Sequence, residues 1–143
     1  MKAKIGLICA VALSVTLLFG CVAAPGQASV NLTCNDFTSQ NHITRELSAK
    51  AGDSFTVTLC SNPTTGFQWE SAVISDQGVL SETSHQYISP ESDPPPPPGT
   101  PGQDVWTFQA LKKGTSTISI VYSRPWEGGE KGVWTFTGVV TVK

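Results

Sequence analysis

The sequence has little of what catalysis or metal binding requires. Two histidines, His42 and His85, occur in 143 residues. A Ser-His-Asp or Cys-His centre needs one of them beside a nucleophile. His42 lies in a polar stretch and His85 in an alternating run, so both read as ordinary surface or strand residues. No H-E-x-x-H, C-x-x-C or Asp-rich calcium loop occurs, so neither a metal nor a cofactor is expected. Gly99, Gly102, Gly128, Gly129 and Gly132 do not lead from a strand into a helix, which excludes a phosphate cradle. The net charge is −2, and −4 once Lys2 and Lys4 are set aside. With no basic patch, nucleic acid is excluded as a partner. No internal repeat is found, and no window of roughly 11–18 residues carries a helical period. The chain is therefore not expected to be an enzyme.

What is present begins with an export signal. Lys2 and Lys4 precede an apolar run from Ile5 to Phe19, interrupted only by Gly6, Ser14 and Thr16. The run falls short of the roughly 20 residues a membrane-spanning helix needs, so residues 1–20 read as a secretory signal. Leu18-Phe19-Gly20-Cys21 resembles the lipobox of bacterial lipoproteins, which implies lipidation of Cys21 and a membrane-anchored protein outside the cytoplasm. The alternative is plain cleavage after Ala23 or Ala24, loss of Cys21 and secretion. Residues 21–30, small and bearing Pro25 and Gly26, read as a tether to a domain spanning 31–143. Asn31-Leu32-Thr33 matches a glycosylation acceptor, a signal that is common by chance and conflicts with a bacterial lipobox. With Cys9 in the signal and Cys21 at the anchor, Cys34 and Cys60 remain. In an exported domain they can form a disulfide, or stay as two buried thiols.

From Asn31 onward short strand patterns alternate with turn residues. Phe55, Val57 and Leu59 alternate with threonines; Trp106, Phe108 and Ala110 alternate with Thr107 and Gln109; Ile118, Ile120 and Tyr122 share one parity, as do Trp134, Phe136, Val140 and Val142. Each is a strand with one apolar face. Strands are expected at 31–37 or 43–49, then 54–60, 67–74, 79–89, 104–112, 115–123 and 133–142. Such spacing without helices predicts an all-β, antiparallel sandwich of about seven to eight strands. Lys112-Lys113-Gly114-Thr115 reads as a tight hairpin turn.

Three stretches break the strand rhythm, and binding residues concentrate on loops held by a rigid scaffold. In Asn62-Pro63-Thr64-Thr65-Gly66-Phe67, Pro63 fixes φ, Gly66 permits positive φ and Asn62 can bond nearby backbone. This is either a well-built hairpin loop or a shaped tip with two uncharged threonines. Arg124-Pro125-Trp126 combines the residue types most enriched at binding hot spots. The bland reading folds Trp126 back onto the sandwich under Arg124. Between them, Ser89–Gln103 contains Pro94–Pro98, an extended polyproline segment that is a stiff arm or a solvated insertion.

Together, N-P-T-T-G-F, R-P-W and the intervening G-x-P-G-x-x-x-W (Gly99–Trp106) resemble the chagasin family of cysteine-protease inhibitors, in the same order and over nearly all of 31–143. The resemblance implies an immunoglobulin-like sandwich and a monomer that reversibly blocks papain-like cysteine proteases without reacting. Asn62, Pro63, Thr64, Thr65, Gly66 and Phe67 would lie across the catalytic cleft. Arg124, Pro125 and Trp126 would pack on one side of it. Gly99, Pro101 and Gly102, in a loop ending at Gln103, would engage the other side. The lengthened proline loop departs from the family pattern, and so does the cysteine pair. The alternative is a surface-anchored sandwich that binds a glycan or another protein, because this fold serves many functions.

Overall fold

The computed structural model describes residues 28–143. The expected signal, Cys21 and the tether up to residue 27 lie outside them. The described chain runs β1 (Val30–Leu32), α1 (Cys34–Ser39), β2 (His42–Ala49), β3 (Ser54–Ser61), β4 (Gln68–Trp69), β5 (Val73–Ile74), β6 (Leu80–Ile88), β7 (Gly102–Ala110), β8 (Gly114–Ser123) and β9 (Trp134–Val142). One sheet has the order β1-β3-β7-β6, the other β2-β9-β8-β4, with β5 also on β8. The inward-facing residues of the period-two strands fill the space between the sheets, with Val57, Leu59, Trp106, Phe108, Ile118, Ile120, Phe136 and Val140 fully buried. This is the expected β-sandwich, with two departures from antiparallel pairing. β1 runs parallel to β3 and β2 parallel to β9.

Four further expectations are corrected. Of the two alternatives for the first long strand, 43–49 holds as β2, while residues 31–37 do not form one strand because Thr33 caps a helix there. Asp36 N–H donates to Thr33 Oγ1 at 3.4 Å and Thr33 N–H to Asp36 Oδ2 at 2.7 Å, a reciprocal capping box. The helix is short, but its Phe37 is fully buried, which is why it persists. The run 67–74 splits, because the register with β8 shifts by one residue between Trp69 and Val73. Lys112–Thr115 is not a hairpin turn. It carries the chain from β7 in one sheet to β8 in the other, with Gly114 pressed against Val79. The tether ends earlier than expected, since Ala28 packs on the core and Val30 is already in β1.

Cys34 is joined to Cys60, with their Cα atoms 5.1 Å apart, a spacing ordinary for disulfides. The bridge ties the start of α1 to the end of β3. At that pole Ser61 pairs with Gly102, Ile88 with Gln103, Gln68 with Ser123, and Tyr122 with Trp134. All three unusual stretches therefore emerge at one end of the sandwich. The C-terminus lies at the other, where Lys143 C=O accepts from Ala51 N–H. β1 runs parallel to β3, toward the loop pole, with Val30 beside Val57.

Replacing both cysteines, Cys34→Ala with Cys60→Ala, is expected to lower unfolding free energy by on the order of 3 kcal/mol, given the loop it closes. Denaturant unfolding measures this directly, and an unchanged midpoint would mean that α1 and β3 are held without the bridge.

Candidate functional site

The pole carrying the three loops rests on stacked aromatic rings. Phe37 lies against Trp134 at 5.1 Å between centroids, Trp134 against Tyr122 at 4.9 Å, and Tyr122 against Phe67 at 5.6 Å, all near-parallel. The Arg124 guanidinium closes the column 4.3 Å above Phe67, a cation–π contact. Helix α1, β9, β8 and two of the loops are thereby stacked in one line.

Asn62 organises the first loop. Its N–H donates to the Tyr122 hydroxyl at 2.9 Å, and its Nδ2 donates to Gly99 C=O, also at 2.9 Å. Its Oδ1 accepts from Thr64 Oγ1 at 2.6 Å, and its C=O accepts from Thr65 Oγ1 at 2.7 Å. Residues Pro63–Thr65 form a single 3₁₀ turn that Gly66 ends with φ at 81°, a left-handed conformation that glycine adopts without steric penalty. Burial pushes the Tyr122 hydroxyl above the usual tyrosine range, so it stays protonated while accepting the Asn62 bond.

The Arg124 loop is closed by a turn in which Gly129 N–H donates to Trp126 C=O at 3.0 Å, with Gly128 at positive φ. The Lys131 ammonium reaches back to Arg124 C=O at 2.5 Å and Trp126 C=O at 3.3 Å. Trp126 is 52% exposed. One edge of its indole lies over Gly66, where an added Cβ would stand 2.6 Å from the ring. The first and third loops therefore interlock. The proline loop joins them through the Asn62–Gly99 bond.

Of the expected site residues, Asn62 meets Gly99, Gly66 meets Trp126, and Arg124 meets Phe67 and the Thr65 carbonyl. Pro63, Thr64, Thr65, Pro101 and Pro125 are exposed on the same edge. Phe67 differs, being half-buried as the platform beneath Arg124. Gly102 is buried in β7, where a side chain would strike Ile88 C=O and the Tyr87 hydroxyl. The proline loop accordingly ends at Pro101 rather than Gln103. Sequence reasoning missed Tyr122 and Lys131, since a strand alternation and an isolated lysine say nothing of what they reach.

One histidine and one carboxylate meet below this edge. Ser61, His85 and Asp104 all line one cavity of about 360 Å³. His85 Nε2 meets Asp104 Oδ1 at 2.6 Å, and its ring stacks on Trp106 at 4.2 Å. Among the described residues Ser61 Oγ has no hydrogen-bond partner, so His85 is not joined to it. The same residues hold no cluster of potential metal ligands.

The model of the chagasin family peptidase inhibitors, I42, matches residues 48–140. The chain belongs to the chagasin family. It is 32% identical over 104 residues to Amoebiasin-2 of Entamoeba histolytica, covering 73% of this chain and 80% of that protein. The crystal structure of EhICP2, a cysteine protease inhibitor from the same organism, superimposes with a TM-score of 0.57 at 26% identity, covering 80% of this chain and 96% of that one. PbICP-C, solved in complex with falcipain-2, shares the fold with a TM-score of 0.51 at 18% identity, over 84% of this chain and 95% of that one. The function of this chagasin-family chain is inhibition of cysteine proteases.

Gly66→Ala is expected to destabilise the chain by about 1 kcal/mol or more, since alanine resists positive φ and its methyl would displace Trp126. Thermal unfolding, with the tryptophan emission read alongside it, tests this; unchanged values for both would mean that the two loops do not interlock.

Proposed function

We propose that this chain inhibits papain-like cysteine proteases reversibly and without covalent chemistry, by inserting its three loops into the active-site cleft. The observation that carries this reading is the joining of the Asn62, Gly99 and Arg124 segments into one edge by hydrogen bonds and ring contacts. An edge already ordered loses little entropy on docking. Thr64 and Thr65 form an uncharged tip, which can enter a cleft without stranding a buried charge. Trp126 and Arg124 flank the tip on one side, with Gly99 and Pro101 on the other. Three loops of this size are sufficient for the roughly 1,600 Å² that protease–inhibitor contacts bury.

The inhibitor acts as a monomer outside the cytoplasm, carried there by residues 1–20 and held by lipid at Cys21. The apolar run after Lys2 and Lys4 and the lipobox-like Leu18–Cys21 support this arrangement.

Titration of papain with the purified mature chain tests the reading, with stoichiometric, reversible loss of activity expected. A folded protein that leaves papain untouched at about micromolar concentration, well above ordinary inhibitor dissociation constants, would overturn it. Within that assay Trp126→Ala is expected to weaken inhibition by about 2 kcal/mol. A loss under about 0.5 kcal/mol would make Trp126 part of the scaffold. Thr65→Asp should weaken inhibition strongly, because the cleft would desolvate a charge. Unchanged inhibition by that variant would put the tip outside the active site.

A further inference from the structure

Residues Ser89–Pro101 hold seven of the ten prolines in the chain, more than a connection between two adjacent strands needs. β6 and β7 are antiparallel neighbours, with Ile88 opposite Gln103, and a few residues would join them. The excess is organised as an arm. Ser92 Oγ donates to Pro94 C=O and Thr100 Oγ1 to Pro97 C=O, both at 2.6 Å. Thr100 N–H closes a turn onto Pro97 C=O at 3.2 Å, with Pro98 and Gly99 at its centre and Gly99 at positive φ. Proline at the second and glycine at the third position are what such a turn demands. Pro94, Pro95, Pro97 and Pro98 are exposed, as are Tyr87 and Ile88 at its root. Exposed apolar groups collected on a stiff segment mark a contact surface.

The chemistry of the arm is one-sided. It carries Glu91 and Asp93 and no base, and neither carboxylate is in an ion pair among the described residues. Its position is fixed by Asn62, whose Nδ2 holds Gly99 C=O at the inhibitory edge. Between the bend at Asp93–Pro94 and the turn at Pro98–Gly99, Pro95–Pro97 form a short extended stretch of ~9 Å at about 3.1 Å per residue. The arm is thus joined to the inhibitory edge at Gly99 and adds exposed surface beside it.

We propose that this arm is a selectivity element, resting on the inhibitor reading above. It contacts an apolar, positively charged flank of the target protease outside the catalytic groove. It thereby ranks papain-like proteases by a surface that the cleft contacts do not read. The tip and Trp126 supply inhibition common to all of them, and the arm adds affinity only where the flank is complementary.

The test replaces Glu91–Pro96 with two glycines, leaving the Pro97–Thr100 turn and the Asn62–Gly99 bond in place. Inhibition constants are then compared across papain and related proteases with basic and with acidic flanks, after thermal unfolding confirms an intact fold. The shortened variant should stay within about threefold of the parent against acidic-flank enzymes and lose about tenfold or more against the best basic-flank one, on the scale of one good contact. Glu91→Lys with Asp93→Lys, in a full-length arm, should reproduce the loss and make association with that enzyme less sensitive to salt. An equal loss against every protease, or no loss against any, would overturn the arm's role while leaving the inhibitor reading intact. A parent protein that inhibits none of them would overturn both.

Discussion

The column of stacked groups from Phe37 through Trp134, Tyr122 and Phe67 to Arg124 is the contact on which the functional pole depends. Each ring comes from a different part of the chain, and each is held by the next. The column passes through both the helix and the loops, so neither can shift without disturbing the core. Asn62 is attached to it through the Tyr122 hydroxyl, and the proline arm is attached to Asn62. The disulfide adds a covalent tie one residue from Ser61, where β3 hands over to the loop.

This construction suits a protein that acts by fitting rather than by reacting. A flexible loop entering a protease cleft would lose affinity to ordering and would sample conformations open to cleavage. Here Pro63, the Gly66 turn, the Lys131 bonds to two carbonyls and the interlock of Trp126 with Gly66 leave the edge few conformations to lose. The His85–Asp104 pair, which in another setting would suggest catalysis, links β6 to β7 and covers Trp106 below the edge.

Much of the sandwich was legible in the sequence because the strands β3, β7, β8 and β9 each bury one face, and a period of two reports that directly. The loops were legible too, since N-P-T-T-G and R-P-W announce shaped turns by residue type. The helix was not, because six residues show no period; only the Thr33–Asp36 capping pair marks it. The parallel edge pairings of β1 and β2 were not legible either, since nothing local encodes which neighbour an edge strand chooses. The corner at Lys112–Thr115 has the residues of a hairpin turn. Only the distribution of strands between two sheets makes it a crossing.

The sequence by itself determined the fold class and where the shaped loops fall, because periodicity and turn chemistry are local properties; the family was carried by the resemblance of three motifs in their order along the chain. Tertiary structure alone decided that Phe67 lies half-buried beneath Arg124, that Gly102 lies within a strand, and that Tyr122 and Lys131 hold the loops in place. Those roles come from contacts between residues far apart in the chain, and such contacts exist only once both sheets have closed around one core.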